Sequence, residues 1–190
     1  NKMIKLNIGS GNKKIDGFLN LDKFNTFNPD YVHDLEVFPY PFKNNEVSEI
    51  MMSHVLEHIG QIPDTFNNIM KELFRICCND AIIDIFVPHP RHDNFLSDPT
   101  HVRPITSLCL KLYDLEINNH WIKINAANSP LAIIHKVNFK IIDTVYYLED
   151  NYKKLLEEKK ISKDDLDFHV KHYNNVITQI HFKLKVIKNI

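Results

Sequence analysis

Gly9, Ser10 and Gly11 follow a short β-prone run, Lys5–Ile8, and Asp22 closes a second such run eleven residues beyond Gly11. A Gly-x-Gly directly after a strand lets backbone approach a ligand without side-chain interference. An acid at the end of the next strand can accept both hydrogen bonds of a ribose diol, as in dinucleotide-binding sheets. Position 14 is Lys, so the third glycine of a Gly-x-Gly-x-x-Gly fingerprint is missing. That counts against a pyrophosphate cofactor seated on a helix N-terminus. Asp34 and Leu35 follow a third, weaker run, where an acid can accept from an adenine amino group. Taken singly, these residues are equally readable as turn glycines and solvated aspartates. The weight lies in three matched positions after three successive strands.

The histidines are the second cluster of chemistry. In Ser53-His54-Val55-Leu56-Glu57-His58-Ile59, His54 and His58 are four apart and would share one face of a helix. Such a pair can bind zinc given a third ligand, and the order His-x-x-Glu-His matches a reversed zinc-peptidase signature. The segment sits at a strand end rather than in mid-helix, so helix-entry polar residues are the plainer account. Between Pro88 and Pro104 lies a polar loop with four prolines and with His89, His92, Asp93, Asp98 and His101. Long irregular loops in small domains are functional or disordered. A histidine there can serve as general base toward a hydroxyl. The irregular spacing and the lack of a cysteine ligand predict no metal site.

The elements that must position these residues are legible from periodicity. After the Lys5–Ile8 run, Phe18–Asp22, Tyr31–Leu35 and Val47–Ser53 read as strands, in each case on alternation or apolar content. Ile62, Phe66, Ile69, Met70, Leu73 and Ile76 fall at helical spacing, with Pro63 and Asp64 suited to the first turn. Asn79-Asp80 reads as a turn, and Ala81–Val87 as a strand buried on both faces. Ile105–Leu115 reads as a helix capped by Thr106 or Ser107, and Phe139–Tyr147 as a strand. Asn151–Asn175 is charged and helical with a break near Ile161–Asp164, and Thr178–Ile187 alternates as a strand with one exposed face. This order predicts an open α/β sheet with helices on its faces and ligands beyond the carboxyl ends of the strands.

Composition bounds the function classes. The chain has 190 residues, 44% of them hydrophobic, enough for one domain over residues 1–190 with a sizeable core. The 23 basic and 24 acidic residues give net charge -1, so nothing general favours nucleic acid or an anionic membrane as partner. No run approaches the ~18 apolar residues of a membrane span. Asn1-Lys2-Met3-Ile4-Lys5 is no apolar signal region, and three cysteines, two of them adjacent, do not make a disulfide framework. The expected compartment is the cytoplasm.

Together, Leu6–Gly11, Gly17–Asp22, His33-Asp34-Leu35 and Ser53–Ile59 resemble the class I S-adenosylmethionine-dependent methyltransferases, and within them a short bacterial and phage-type group. That group carries the pattern GSG…NxD…DL…SHVLEHI, and its Asp-Pro-Thr-His loop is similar to Asp98–His101. The resemblance spans residues 4 to 106 in order and spacing, and only strand-helix order thereafter. It implies a Rossmann-like open, mostly parallel seven-stranded sheet. Gly9, Ser10 and Gly11 would line the methionine and ribose side, and Asp22 would hold the ribose hydroxyls. Asp34 and Leu35 would edge the adenine, and Ser53 and His54 would lie by the sulfonium. The short gap from Gly11 to Asp22 departs from the pattern and implies a shortened first crossover helix and a more open cofactor pocket.

The implied activity is methyl transfer from S-adenosylmethionine to a hydroxyl of a small molecule or sugar. Such an in-line displacement needs alignment and a proton acceptor, for which His101 and His89 are preferred over His54. No Asp/Asn-Pro-Pro-aromatic sequence follows the fourth strand, which argues against nucleobase amino-methylation. Trp121 with His120, Asn118 and Asn119 suits sugar stacking. A cofactor-binding or regulatory protein without transferase activity is the alternative, since fold does not imply function. A histidine-dependent metallohydrolase is a further one.

Overall fold

Seven strands form one sheet in a computed structural model that describes residues 3–188. They are β1 (Ile4–Ile8), β2 (Leu19–Asp22), β3 (Tyr31–Val32), β4 (Val47–Ser53), β5 (Cys77–Pro88), β6 (Phe139–Leu148) and β7 (Ile177–Val186). Their spatial order is β3-β2-β1-β4-β5-β7-β6. The pairs from β3 to β5 are parallel, and β7 runs antiparallel to both its neighbours. Strand order reverses between β1 and β4, so the crevice beyond their carboxyl ends is the place for a ligand. The helices are α1 (Pro63–Ile76), α2 (Asp93–Leu96), α3 (Ser107–Lys111), α4 (Leu115–Lys123), α5 (Leu131–His135), α6 (Asp150–Glu157) and α7 (Lys163–His172). None is long and apolar enough to cross a membrane.

The open, mostly parallel α/β sheet is the one expected, and its two faces differ. Leu6, Ile8, Leu21, Ile50, Met52, Ile83, Ile85, Phe182 and Leu184 share a core with Phe66, Ile69, Met70 and Leu73 of α1 and Leu110 of α3. The opposite face carries paired charges. Lys5 meets Glu49 at 2.6 Å, and Asp84 accepts from His181 at 2.6 Å with Lys183 at 3.7 Å. The β5 run, expected to be buried on both faces, is fully buried on one, while on the other Asp84 is buried and Ile82 and Phe86 are half-buried. Ile83, Ile85 and Val87 pack inward, whereas Asp84 and its neighbours on the other face are held by β7. Helices α6 and α7 bury no side chain fully. They flank the strand ends, where Arg91 Nη1 donates to the Lys171 carbonyl at 2.8 Å and Asp93 N–H to Asn175 Oδ1 at 2.8 Å.

Three connections differ from expectation. The first crossover, between Ile8 and Leu19, holds turns and no helix, because ten residues with three left-handed glycines only suffice to reverse the chain. Asn79-Asp80 lies inside β5 as a bulge: Asp80 takes φ 64° and the register to β4 shifts there. The Pro88–Pro104 segment contains α2, whose first turn is capped by His92 Nδ1 accepting from Asn94 N–H at 3.0 Å.

Candidate functional site

The loop after β1 is built by backbone and side-chain hydrogen bonds around Asp22. Gly9 N–H donates to the Leu21 carbonyl at 2.8 Å, which turns the chain over the end of β2. Gly11 N–H donates to Asp22 Oδ2 at 2.8 Å and Phe24 N–H to Asp22 Oδ1 at 3.0 Å. The carboxylate is thereby fixed at the strand end, with lone pairs left for a ligand diol. Beneath the loop, Asn7 Nδ2 donates to the Lys13 carbonyl at 2.7 Å and to Asn20 Oδ1 at 3.0 Å. Asn20 in turn donates from N–H and Nδ2 to Asp30 Oδ2, and these bonds hold the Asp30 carboxyl below its ordinary range.

Two cavities meet at Gly9. One, of about 100 Å³, is lined by Gly9, Asp22, Asp34, Leu35, Val55 and Ile59 among others. The second, of about 520 Å³, is lined by Asn7, Gly9, Ser10, Gly11, Ser53 and His54, with Phe86 and Gln179 across from them. The sequence-predicted cofactor residues thus all lie on these two adjoining hollows. A larger hollow of about 850 Å³ lies among the residues of α6, α7 and their connection, lined by lysines with Asp165 and Asp167 and by none of the sequence-predicted site residues. At Gly9 the backbone has φ 64°, and an added Cβ would stand 2.3 Å from Val55 Cγ2. Glycine is therefore required at the neck between the cavities.

Polar groups converge there. Ser10 Oγ is buried with no hydrogen-bond partner, a donor and acceptor left for a ligand. Asp34 pairs with Lys23 at 2.7 Å and accepts from Glu36 N–H at 3.0 Å. Burial pushes its carboxyl up, and Lys23 with Glu36 N–H outweighs that, so it sits below its ordinary range. Leu35 is buried, its carbonyl accepting from the Tyr40 hydroxyl at 2.8 Å.

His54 occupies φ 55°, an uncommon left-handed position for a non-glycine residue. Its Nε2 is 2.7 Å from Gln179 Oε1 in the larger cavity, and its Nδ1 is 3.2 Å from Glu57 Oε1. Glu57 raises the pKa of His54 against the opposing effect of burial, and Gln179 adds to the rise. The segment is not the helix face that the His54/His58 spacing predicts. Only Leu56–His58 makes a short 3₁₀ turn, and this points the fully buried Glu57 inward. The Glu57 carbonyl accepts from Val102 N–H at 2.9 Å and Arg103 N–H at 3.2 Å, tying this turn to the loop after β5.

The remaining expected catalytic residues lie outside both cavities. His101 has its ring between Phe95, 5.3 Å away and stacked, and His58, 4.6 Å away and edge-on. Its Nδ1–H donates to the Phe95 carbonyl at 2.9 Å. His89 lines a separate hollow of about 350 Å³ with Arg91, Thr106 and Tyr146. Burial lowers its pKa and Arg91 lowers it further, but its Nδ1 accepts from Arg91 N–H at 3.2 Å. That lone pair is engaged in this arrangement. Sequence reasoning missed Gln179 beside His54, and weighed Glu57 only within the His-x-x-Glu-His zinc signature. For Glu57 a signal is present, an acid inside an otherwise apolar Val-Leu-x-x-Ile turn. Trp121 sits within α4 and lines neither cavity.

No family model and no curated protein matches the sequence. Solved structures do match its fold. An S-adenosylmethionine-dependent methyltransferase from Archaeoglobus fulgidus superposes with TM-score 0.56 at 15% identity, over 96% of this chain and 86% of that one. A Burkholderia thailandensis 1,6-didemethyltoxoflavin-N1-methyltransferase with bound S-adenosylhomocysteine gives 0.50 at 9% identity, over 97% and 71%. The [4+2]-cyclase SpnF gives 0.55 at 12% identity, over 97% and 74%. The chain thus has the Rossmann-like fold of S-adenosylmethionine-dependent methyltransferases.

Proposed function

We propose that the protein binds S-adenosylmethionine and transfers its methyl group to a hydroxyl of a small molecule or sugar. One observation carries this: two hollows joined at Gly9 beyond the ends of β1 and β4, with the Asp22 carboxylate and the orphaned Ser10 hydroxyl beside them. The fit to the cofactor is chemical. Asp22 would accept from the ribose hydroxyls, and Asp34 and Leu35 would edge the adenine. Gly9, Ser10 and Gly11, with Ser53 and His54, would hold the methionine part. When bound, the cofactor supplies an electrophilic methyl group on a sulfonium.

The protein's own task is alignment and proton removal. His54 is the proton acceptor in this proposal, in place of His101 and His89. It is the histidine that lines the larger cavity, and Glu57 beside its Nδ1 orients the ring. Gln179 Oε1 accepts the Nε2–H of His54 here, so His54 would take a hydroxyl proton only after the acceptor displaces Gln179 and Nε2 has given up its own proton to solvent. The test is formation of S-adenosylhomocysteine with a panel of sugars and phenols. His54→Ala should lower turnover by roughly 10²–10⁴-fold while the protein still binds S-adenosylhomocysteine. Unchanged turnover in that variant would contradict the assignment. Cofactor binding with no turnover on any acceptor would favour a binding protein instead.

A further inference from the structure

Glu57 is a buried carboxylate in want of partners. It is fully inaccessible, and neither of its carboxylate oxygens makes a hydrogen bond. Its one close polar neighbour in the cofactor direction is His54, at 3.2 Å from Oε1. On its other side stand His58 and His101. One ligand atom from each of Glu57, His58 and His101 lies within 4.8 Å of the other two. A buried carboxylate without hydrogen bonds costs several kcal/mol unless neighbouring charge offsets it, and His54 stands near only one of its two oxygens.

The hydrogen-bond network assigns the two imidazoles. Thr100 has a single hydroxyl proton, and it goes to Asp98 Oδ1 at 2.6 Å. Thr100 Oγ1 must then accept from His58 Nδ1–H, 2.9 Å away. His101 Nδ1–H donates to a carbonyl, that of Phe95. Both rings therefore carry a proton on Nδ1, which in the neutral imidazole leaves Nε2 as the ligating nitrogen. That is the state in which histidine ligates a metal, with the outer nitrogen donating to a fixed acceptor. The rings are also held in place, His101 by its stack on Phe95 and each histidine by the other.

We propose that Glu57, His58 and His101 bind one divalent transition-metal ion, with zinc the best match. Two neutral imidazoles and one carboxylate form a donor set that zinc and its first-row neighbours accept. Ligand bonds of about 2.0–2.2 Å put donor atoms on one ion roughly 3–3.5 Å apart, so the three groups, now within 4.8 Å, would draw together on binding. Asp98 Oδ2, 3.7 Å from His101 Nε2, stands on the exposed side as a further oxygen donor. The ion would clip the turn after β4 to the Asp98–His101 loop. It would also fix the carboxylate that faces His54.

The test uses the full chain stripped with a chelator, titrated with Co²⁺ by visible absorption and with Zn²⁺ against a chromogenic chelator. One equivalent of each ion is expected. Glu57→Gln and His101→Asn should each weaken binding by more than about 100-fold, and Thr100→Val by about 10–100-fold through its hold on His58. His89→Asn and His92→Asn should bind as the parent does. Zn²⁺ should raise the melting temperature of the parent and not of Glu57→Gln. Should Glu57→Gln fail to fold by circular dichroism, His58→Asn, the more accessible ligand, decides in its place. No uptake by the parent at millimolar ion, or ligand variants that titrate like the parent, overturns the proposal. None of these measurements uses S-adenosylmethionine, so the result stands apart from the transferase reading.

Discussion

Replacing Gly9 with Ala is expected to damage fold and cofactor site together, for two separable reasons. The first is backbone strain, since φ 64° puts a Cβ against the following carbonyl at about 1–2 kcal/mol. The second is the 2.3 Å approach to Val55 Cγ2, well inside the roughly 3.5–4.0 Å of carbon contacts. Relieving it must displace Val55 or the loop, an overpacking cost of about 1–3 kcal/mol. Gly11 supplies the control. Its φ is 47° and an added Cβ would meet nothing within 4 Å, so Gly11→Ala should cost only the strain. Urea unfolding should place Gly9→Ala about 1–3 kcal/mol below Gly11→Ala. In a double-mutant cycle, Val55→Ala should recover about 0.5–3 kcal/mol of the Gly9→Ala loss. Equal stabilities for the two glycine variants, or no recovery with Val55→Ala, would refute close approach as the reason for glycine.

Other consequences are testable in the same way. Asp30, whose folded pKa is depressed by its bonds from Asn20, stabilises the fold above its unfolded pKa of about 4. That stability is lost as pH falls through the lower folded value, so the deficit of Asp30→Asn in urea should be full at pH 7 and shrink toward pH 2. Asn118, fully buried, accepts from Ala132 N–H at 3.0 Å and donates to the Leu112 carbonyl at 3.1 Å. Asn118→Ala should cost roughly 1–2 kcal/mol in chemical denaturation through its lost hydrogen bonds, while Ala132 N–H keeps its bond to the Leu112 carbonyl at 2.9 Å. Burial pushes the Cys77 thiol up to about 12, so native protein should resist iodoacetamide there at pH 8 while Cys78, less buried, labels first by mass spectrometry.

Legibility follows locality. β4 and α1 fall where alternation and helical spacing put them, because each buries one face on the core. The exposed face of β7 is also legible, from Gln179, His181, Lys183 and Lys185 in alternation. The cofactor loop is readable because Gly-x-Gly and Asp22 are close in sequence and joined directly, through Gly11 N–H. The bulge at Asp80 is not, since Asn-Asp reads as a turn when no neighbouring strand is known. The roles of the histidines are the least legible. His101 meets Glu57 and His58 across more than 40 residues of sequence, a proximity that only the parallel crossover creates. Spacing within one loop, the cue used for metal ligands, says nothing about such a gathering. His89 reads as a base by composition, and only the Arg91 N–H at its Nδ1 reveals the engaged lone pair.

The central claim is that the Gly9–Asp22 crevice holds the adenosyl part of S-adenosylmethionine, and calorimetry with S-adenosylhomocysteine tests it most directly. The parent should bind one equivalent, and Asp22→Ala should lose about 1.5–3 kcal/mol of charge-assisted hydrogen bonding, roughly 10–150-fold in Kd. Thr144→Ala, on the far edge strand β6, should bind as the parent does. A parent that shows no binding, or an Asp22→Ala variant of unchanged affinity, would contradict the account.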